Sequence, residues 1–293
     1  MKLIEHALYP GVLLIALVTA GSLLTLGVDE TLITFATTIV AGVAVMIVQV
    51  CMPHREDWRV GRREVEVDLW HLLFTAVIFP PLVQAMCFSA LVWGSMKAAA
   101  MAGSSLWPHH WPLSLELLLA LVIGDFGFYW AHRALHKWDW LWRIHAVHHS
   151  SDKLYFFSAT RLHPINFLAT YLAPVAPLVL LGVGSQTLVL FSVFTAINGG
   201  MQHANIRVIL GPLNWILATC DLHRWHHSDV MGESNTNFSS NLILWDIVFG
   251  TRFLPKDREL EQVGLQDVDI PPTLTAHWLT PWRWATFQRT DAG

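Results

Sequence analysis

Charge is what this chain has least of. Only 14% of its 293 residues are Asp, Glu, Lys or Arg, against about 25% in an ordinary soluble domain, and a deficit of that size argues for a membrane protein. The net charge of -4 leaves no basic footprint for nucleic acid. Cysteine is almost missing: Cys51, Cys87 and Cys220 lie far apart and form no C-x-x-C pair, so a disulfide framework, a zinc ribbon and an iron–sulfur motif are all unsupported. They read instead as small buried hydrophobes. There is no flavin or dinucleotide fingerprint, no haem motif and no H-E-x-x-H, the pattern in which a Glu serves as base at a hydrolytic zinc site.

What is abundant is apolar surface, at 54% of residues with a mean hydropathy of +0.44, and tryptophan, at 15 residues. Trp prefers the membrane–water boundary. Residues 8–27 and 31–52 are each long enough to span a bilayer, which needs about 20 apolar residues; the first has too weak a basic start for a signal peptide and reads as a retained helix. A polar segment, 53–68, carries Arg55, Arg59, Arg62 and Arg63. Residues 69–93 form a third span with a kink or break at Pro80-Pro81, and 113–131 a fourth. The apolar stretch 165–202 is interrupted by Pro174, Pro177, Gly182 and Gly184, which fits two helices or one re-entrant hairpin. Under this threading only Lys97, of 18 Lys and Arg, falls on the far side. The positive-inside rule then makes the opposite side cytosolic. The expected architecture is an all-α integral membrane protein of about four transmembrane helices plus an apolar hairpin, with a histidine-rich helical cap. The Trp-rich stretch 277–284 reads as interfacial and not as a span.

The cap is where the chemistry gathers. HRALHKWDWLWRIHAVHHS, residues 132–150, holds His132, His136, His145, His148 and His149; DLHRWHHS, 221–228, holds His223, His226 and His227 in a second H-x-x-H-H-S box; His203 closes the last apolar segment. A helix turns about 100° per residue, which puts the histidines of each box within one arc. Packed together without a metal, unpaired imidazole nitrogens would cost about 1–3 kcal/mol each. Neutral imidazole suits Fe, Zn, Cu or Ni, and nine donors exceed what one first-row ion accepts, so two ions are expected. Asp125, Asp139, Asp152, Asp221 and Asp246 flank the boxes and are expected behind the ligands, taking N–H protons from their rings. Asp125 is the best placed of them, since an ionisable group near the end of a span needs a partner. His6, His54, His71, His109, His110 and His277 lie outside the boxes and read as surface or interfacial. His163 precedes Pro164, which holds it extended, so a wall of the substrate slot is expected there in preference to a tenth ligand.

The order H-R-x-x-H, H-x-x-H-H, H-x-N, H-x-x-H-H, followed by NFSSNLILWDIVFGTRF at 237–253, resembles the fatty acid hydroxylase/sterol desaturase superfamily over residues 118–255. The resemblance implies a catalytic domain over 118–255 between a transmembrane region, 1–117, and a tail, 256–293. It implies two Fe ions on the nine histidines (with Zn able to replace iron in purified protein) and O2 as co-substrate. It also implies hydroxylation or desaturation of a lipid C–H bond, the lipid coming from the bilayer. Asn205, in the H-x-N element, is grouped with the residues behind the ligands. Fatty acid 2-hydroxylases of the family often carry a further His four residues after the one matching His203; here Arg207 stands there. Since the chain has no redox cofactor motif, a separate ferredoxin- or cytochrome b5-like donor is expected on the cytosolic face. The membrane is expected to be a bacterial inner membrane, or the endoplasmic reticulum in a eukaryote. The rival readings are a membrane-bound zinc hydrolase, weakened by the lack of a carboxylate base, and a metal transporter, which would place its ligands nearer mid-bilayer.

Overall fold

The computed structural model describes residues 2–289, and among the described residues there are helices and isolated bridges but no strands. Helices α1 (Lys2–Thr25) and α2 (Glu30–Cys51) form an antiparallel pair. The turn between them is set by Gly27 at φ 72° and by Asp29, whose carboxylate accepts from Leu32 N–H at 2.9 Å and caps α2. α3 (Arg62–Leu72) continues through a π-helical turn at 73–78 into α4 (Phe79–Ala102). Of the kink or break expected at Pro80-Pro81, a break is absent: Arg62–Ala102 runs on as one 41-residue helix. The π turn immediately before the prolines widens the helix where their missing N–H groups and ring bulk would otherwise clash.

α5 (Leu113–Lys137) is the fourth helix long and apolar enough to cross a membrane. α6 (Asp139–His149) follows after a one-residue bend at Trp138. The stretch 165–202 resolves into two helices, α7 (Pro164–Leu180) and α8 (Ser185–His203), joined by a turn at Gly182 with φ 82°. α5 and α7 cross with backbones nearly touching: a Cβ on Gly127 would lie 2.0 Å from the Ala173 carbonyl oxygen, so glycine is required there. α8 runs down the middle, its Val189, Val193, Ile197 and Met201 buried against α1, α2 and α5. Beyond it come α9 (Cys220–His226), two short turns, α10 (Met231–Ser234) and α11 (Leu244–Val248), and finally α12 (Leu274–Phe287).

α12 packs onto α6 and α3, with Trp142 and Ala146 of α6 against Val268, Ile270, Trp284 and Phe287 of the tail. This corrects the reading of two histidines outside the boxes. His71 and His277 are each 0% exposed and face one another, Nε2 to Nδ1 at 2.9 Å. The tail folds back as a cover, and its polar side finds a partner on α3.

Candidate metal centre

The histidines come from four elements that meet at one end of the bundle. α5 brings His132 and His136 on consecutive turns, α6 brings His145, His148 and His149, α8 ends on His203, and α9 with the residue after it brings His223, His226 and His227. All nine are buried. They separate into two groups, His132, His136, His145, His149 and His226 in one, and His148, His203, His223 and His227 in the other; within each group one ligand atom per residue lies within 4.8 Å of all the rest.

The grouping corrects the single-arc picture of each box. In H-x-x-H-H the first and last histidines are four apart and share a helix face, while the middle one sits about 100° round from the last. So His145 and His149 join one group and His148 the other, and His223 and His227 join one group while His226 crosses over. Each box lends its middle histidine to the other box's group. The groups touch where His149 and His227 stack with ring centroids 4.3 Å apart.

Tautomers follow from what the outward nitrogens meet. His132 Nδ1–H donates to the Phe238 carbonyl at 2.7 Å, His203 Nδ1–H to that of Gly199 at 3.0 Å, and His226 Nδ1–H to that of Thr236 at 2.7 Å. His145 Nδ1 meets the Asn166 side-chain oxygen at 2.6 Å. A neutral ring that donates from Nδ1 carries only a lone pair on Nε2. His132 and His145 nevertheless set their Nε2 atoms 3.0 Å apart, two lone pairs face to face. Nε2 atoms also approach to 3.1–3.2 Å between His145 and His149, His148 and His203, His203 and His223, and His223 and His227. With metal–nitrogen bonds of about 2.1 Å, neighbouring ligand atoms fall about 3.0 Å apart at a right angle and about 3.4 Å apart at a tetrahedral one. The spacing is that of ligands round an ion. The buried nitrogens without any partner, both of His136 and Nε2 of His226 among them, fit the same reading.

Burial pushes the pKa values of His145, His148, His149, His223, His226 and His227 well below the usual imidazole range, and their mutual proximity pushes them further. The rings are held neutral, the form that binds metals.

Among the described residues no carboxylate hydrogen-bonds a ring of the array, contrary to the expectation for Asp125, Asp221 and Asp246. Asp125 takes the backbone N–H groups of Asn241 and Leu242. Asp246 takes those of Phe238 and Ser239 at 2.7 and 2.8 Å, plus the Thr251 hydroxyl; it thereby fixes the peptide whose carbonyl receives His132. Asp221 pairs with Asn214 and Arg224. Asp139 pairs with Arg143, and Asp152 is exposed. Asn205 pins the chain at Arg55 through both its amide atoms, at 2.9 and 2.8 Å, and touches no imidazole. The acids shape the loops behind the ligands; backbone carbonyls, which leave no mark in a sequence, take the ring protons.

His163 is not among the histidines of the two groups. It caps α7, its Nδ1 accepting from Ile165 N–H at 3.1 Å and its Nε2–H donating to the Trp278 carbonyl at 3.0 Å, so both nitrogens are engaged by protein. Arg207 is half-exposed and leans to Glu5 at 3.7 Å, away from the array. The residue that the sequence reading missed is Asn166, and the only available signal was its place three residues after His163 in RLHPIN.

Fold and array together define the class: a multi-pass helical membrane protein with a buried, histidine-only cluster that could hold metal. The sequence profile described as Fatty acid hydroxylase matches residues 117–251. An ornithine lipid hydroxylase of Rhizobium tropici is 32% identical over 273 residues, covering 89% of this chain and 79% of that protein. An alkylglycerol monooxygenase of Xenopus tropicalis is 33% identical over 46% of this chain and 30% of its own length. A very-long-chain aldehyde decarbonylase of Oryza sativa is 29% identical over 55% of this chain and 61% of its own. No solved structure matches. The chain belongs to the fatty acid hydroxylase family.

Proposed function

We propose that the protein is a di-iron oxygenase that hydroxylates the hydrocarbon part of a membrane lipid. The observation that carries the metal reading is the approach of the His132 and His145 Nε2 atoms to 3.0 Å while the Nδ1 atoms of both rings face oxygen acceptors, an arrangement that leaves a lone pair on each Nε2 and suits a cation between or beside the two. Iron is favoured over zinc because the reaction of the relatives that carry the name hydroxylase or monooxygenase is oxidative, and zinc has no redox chemistry. The balanced step is RH + O2 + two electrons + two protons giving ROH + water, so a C–H bond breaks, a C–O bond forms and one oxygen atom leaves as water. Hydroxylation is preferred to desaturation because a relative matched over 89% of this chain is a lipid hydroxylase.

Bound iron would supply the one-electron steps that let O2 attack an unactivated C–H bond. The chain's own residues do the rest. Nine neutral imidazoles would hold the two ions without adding negative charge, from His132, His136, His145, His149 and His226 on one side and His148, His203, His223 and His227 on the other. The carbonyls of Phe238, Gly199 and Thr236 lock the rings' tautomers. Burial of the whole array keeps bulk water away from the oxidising centre. The cap faces the cytosol, where a ferredoxin- or cytochrome b5-like protein delivers the electrons.

The test is to express the protein in a bacterial host, extract the lipids and compare masses with and without isotopically heavy dioxygen in the headspace. A lipid one oxygen atom heavier, carrying the heavy isotope and lost in His148→Ala, supports the reading. An unchanged lipid profile from a metal-loaded, reducible protein refutes it.

A further inference from the structure

We propose that Asn166 is a positioning residue of the metal centre: its carboxamide oxygen holds His145 in the Nδ1–H tautomer, so that Nε2 presents a lone pair at the middle of the five-histidine group. This rests on the two-ion reading above and goes one layer beyond it.

Among the described residues Asn166 is the only side chain other than a histidine that hydrogen-bonds a ring of the array, and it is 1% exposed. The ring it meets is the central one. His145 Nε2 lies 3.0 Å from His132 Nε2 and 3.2 Å from His149 Nε2. His132 has its tautomer fixed by the Phe238 carbonyl, so its Nε2 is an acceptor. In a protein not yet loaded with metal, His145 would gain a good hydrogen bond by taking the opposite tautomer and donating from Nε2 to His132. That arrangement puts a proton where a ligand lone pair is needed. An acceptor at Nδ1 is what tips the choice the other way, and Asn166 Oδ1 supplies it at 2.6 Å.

The acceptor is itself held firmly. Asn166 stands in the first turn of α7, where Pro164 starts the helix and His163 caps it while anchoring to the Trp278 carbonyl. The segment leading in is fastened by Arg161, whose guanidinium makes two bonds to buried Asp68 of α3 at 2.7 and 2.9 Å. Asn166 Nδ2 is buried without a partner.

The test uses full-length protein in detergent, stripped of metal and reloaded with Co(II), whose ligand-field absorption reports coordination. Wild type is expected to take two equivalents. Asn166→Leu keeps the branching and the number of side-chain heavy atoms and removes the acceptor; one equivalent should bind about 10–100-fold more weakly with a changed absorption band, the other remaining as in wild type. Asn166→Asp keeps an acceptor and should restore both equivalents and the band, a rescue that a purely structural role does not predict. If Asn166→Leu does not fold, the Asp variant decides alone. Wild-type affinity and spectrum in a folded Leu variant, or weakened binding in the Asp variant, overturn the proposal. A wild type that takes no cobalt overturns the two-ion reading itself, and this proposal with it.

Discussion

On the two-ion reading, the crossing of the middle histidines would make neighbours in sequence ligands of different ions, and that can be measured. His226 and His227 are adjacent, yet His226 serves the group of five and His227 the group of four. A four-ligand zinc site is worth about 10–16 kcal/mol in apparent binding, so one ligand is worth about 2.5–4 kcal/mol, or roughly 10²–10³-fold in affinity. His223→Ala/His227→Ala leaves two ligands in the second group and all five in the first. The expected outcome is one ion per chain, held at wild-type strength. His226→Ala/His227→Ala also removes two imidazoles, but leaves four in one group and three in the other. Both ions should then weaken by about that factor, and neither should remain at wild-type strength. Titration of the stripped protein against a competing chelator, with metal content read by elemental analysis, separates the two patterns. Loss of a single ion from the His226/His227 double variant, with the other unaffected, would refute the assignment of His226 to the group of five.

Four further outcomes are expected. Arg161→Met leaves Asp68 buried without its cationic partner and should destabilise the protein by about 3–5 kcal/mol, read as a fall in the detergent-solubilised Tm against wild type. Gly127→Ala drives a Cβ into the Ala173 carbonyl at 2.0 Å and should abolish folded yield on size exclusion, whereas Gly21→Ala, with nothing within 4 Å, should be neutral or stabilise by up to about 1 kcal/mol. The metal-free protein should lose stability as pH falls below about 6.5, because burial lowers the pKa values of His145, His148, His149, His223, His226 and His227 in the fold while the unfolded chain takes up protons. Each ring adds at most about 1.4 kcal/mol per pH unit, and a flat unfolding midpoint between pH 7 and 5 would contradict the neutral array. His163→Ala should keep both metal equivalents, since its nitrogens are engaged by Ile165 and Trp278, and cost about 1 kcal/mol through the lost cap; loss of an ion would show that its capping geometry is wrong.

The sequence by itself determined the membrane class, the four long spans and the nine histidines. Those features are local: an apolar run of sufficient length must be helical in lipid because its backbone has no other hydrogen-bond partners, and a histidine box is a set of residue types at fixed spacing. Even the splitting of each box was latent in the helical period, since a middle histidine set about 100° from its neighbour cannot point the same way. Only the tertiary structure decided which histidines share a group, because that depends on where α5, α6, α8 and α9 meet. It also decided the partners of the rings. Phe238, Thr236 and Gly199 act through backbone carbonyls, which every residue possesses and no sequence pattern singles out. Asp125 and Asp246, read as partners of imidazole, turned to loop amides instead, since a buried carboxylate is satisfied by whichever donors the fold brings within reach. His71 and His277 are 206 positions apart and join only because the tail returns over α3 and α6. Asn166 became a candidate for the centre by the same route, through the packing of α7's first turn against α6.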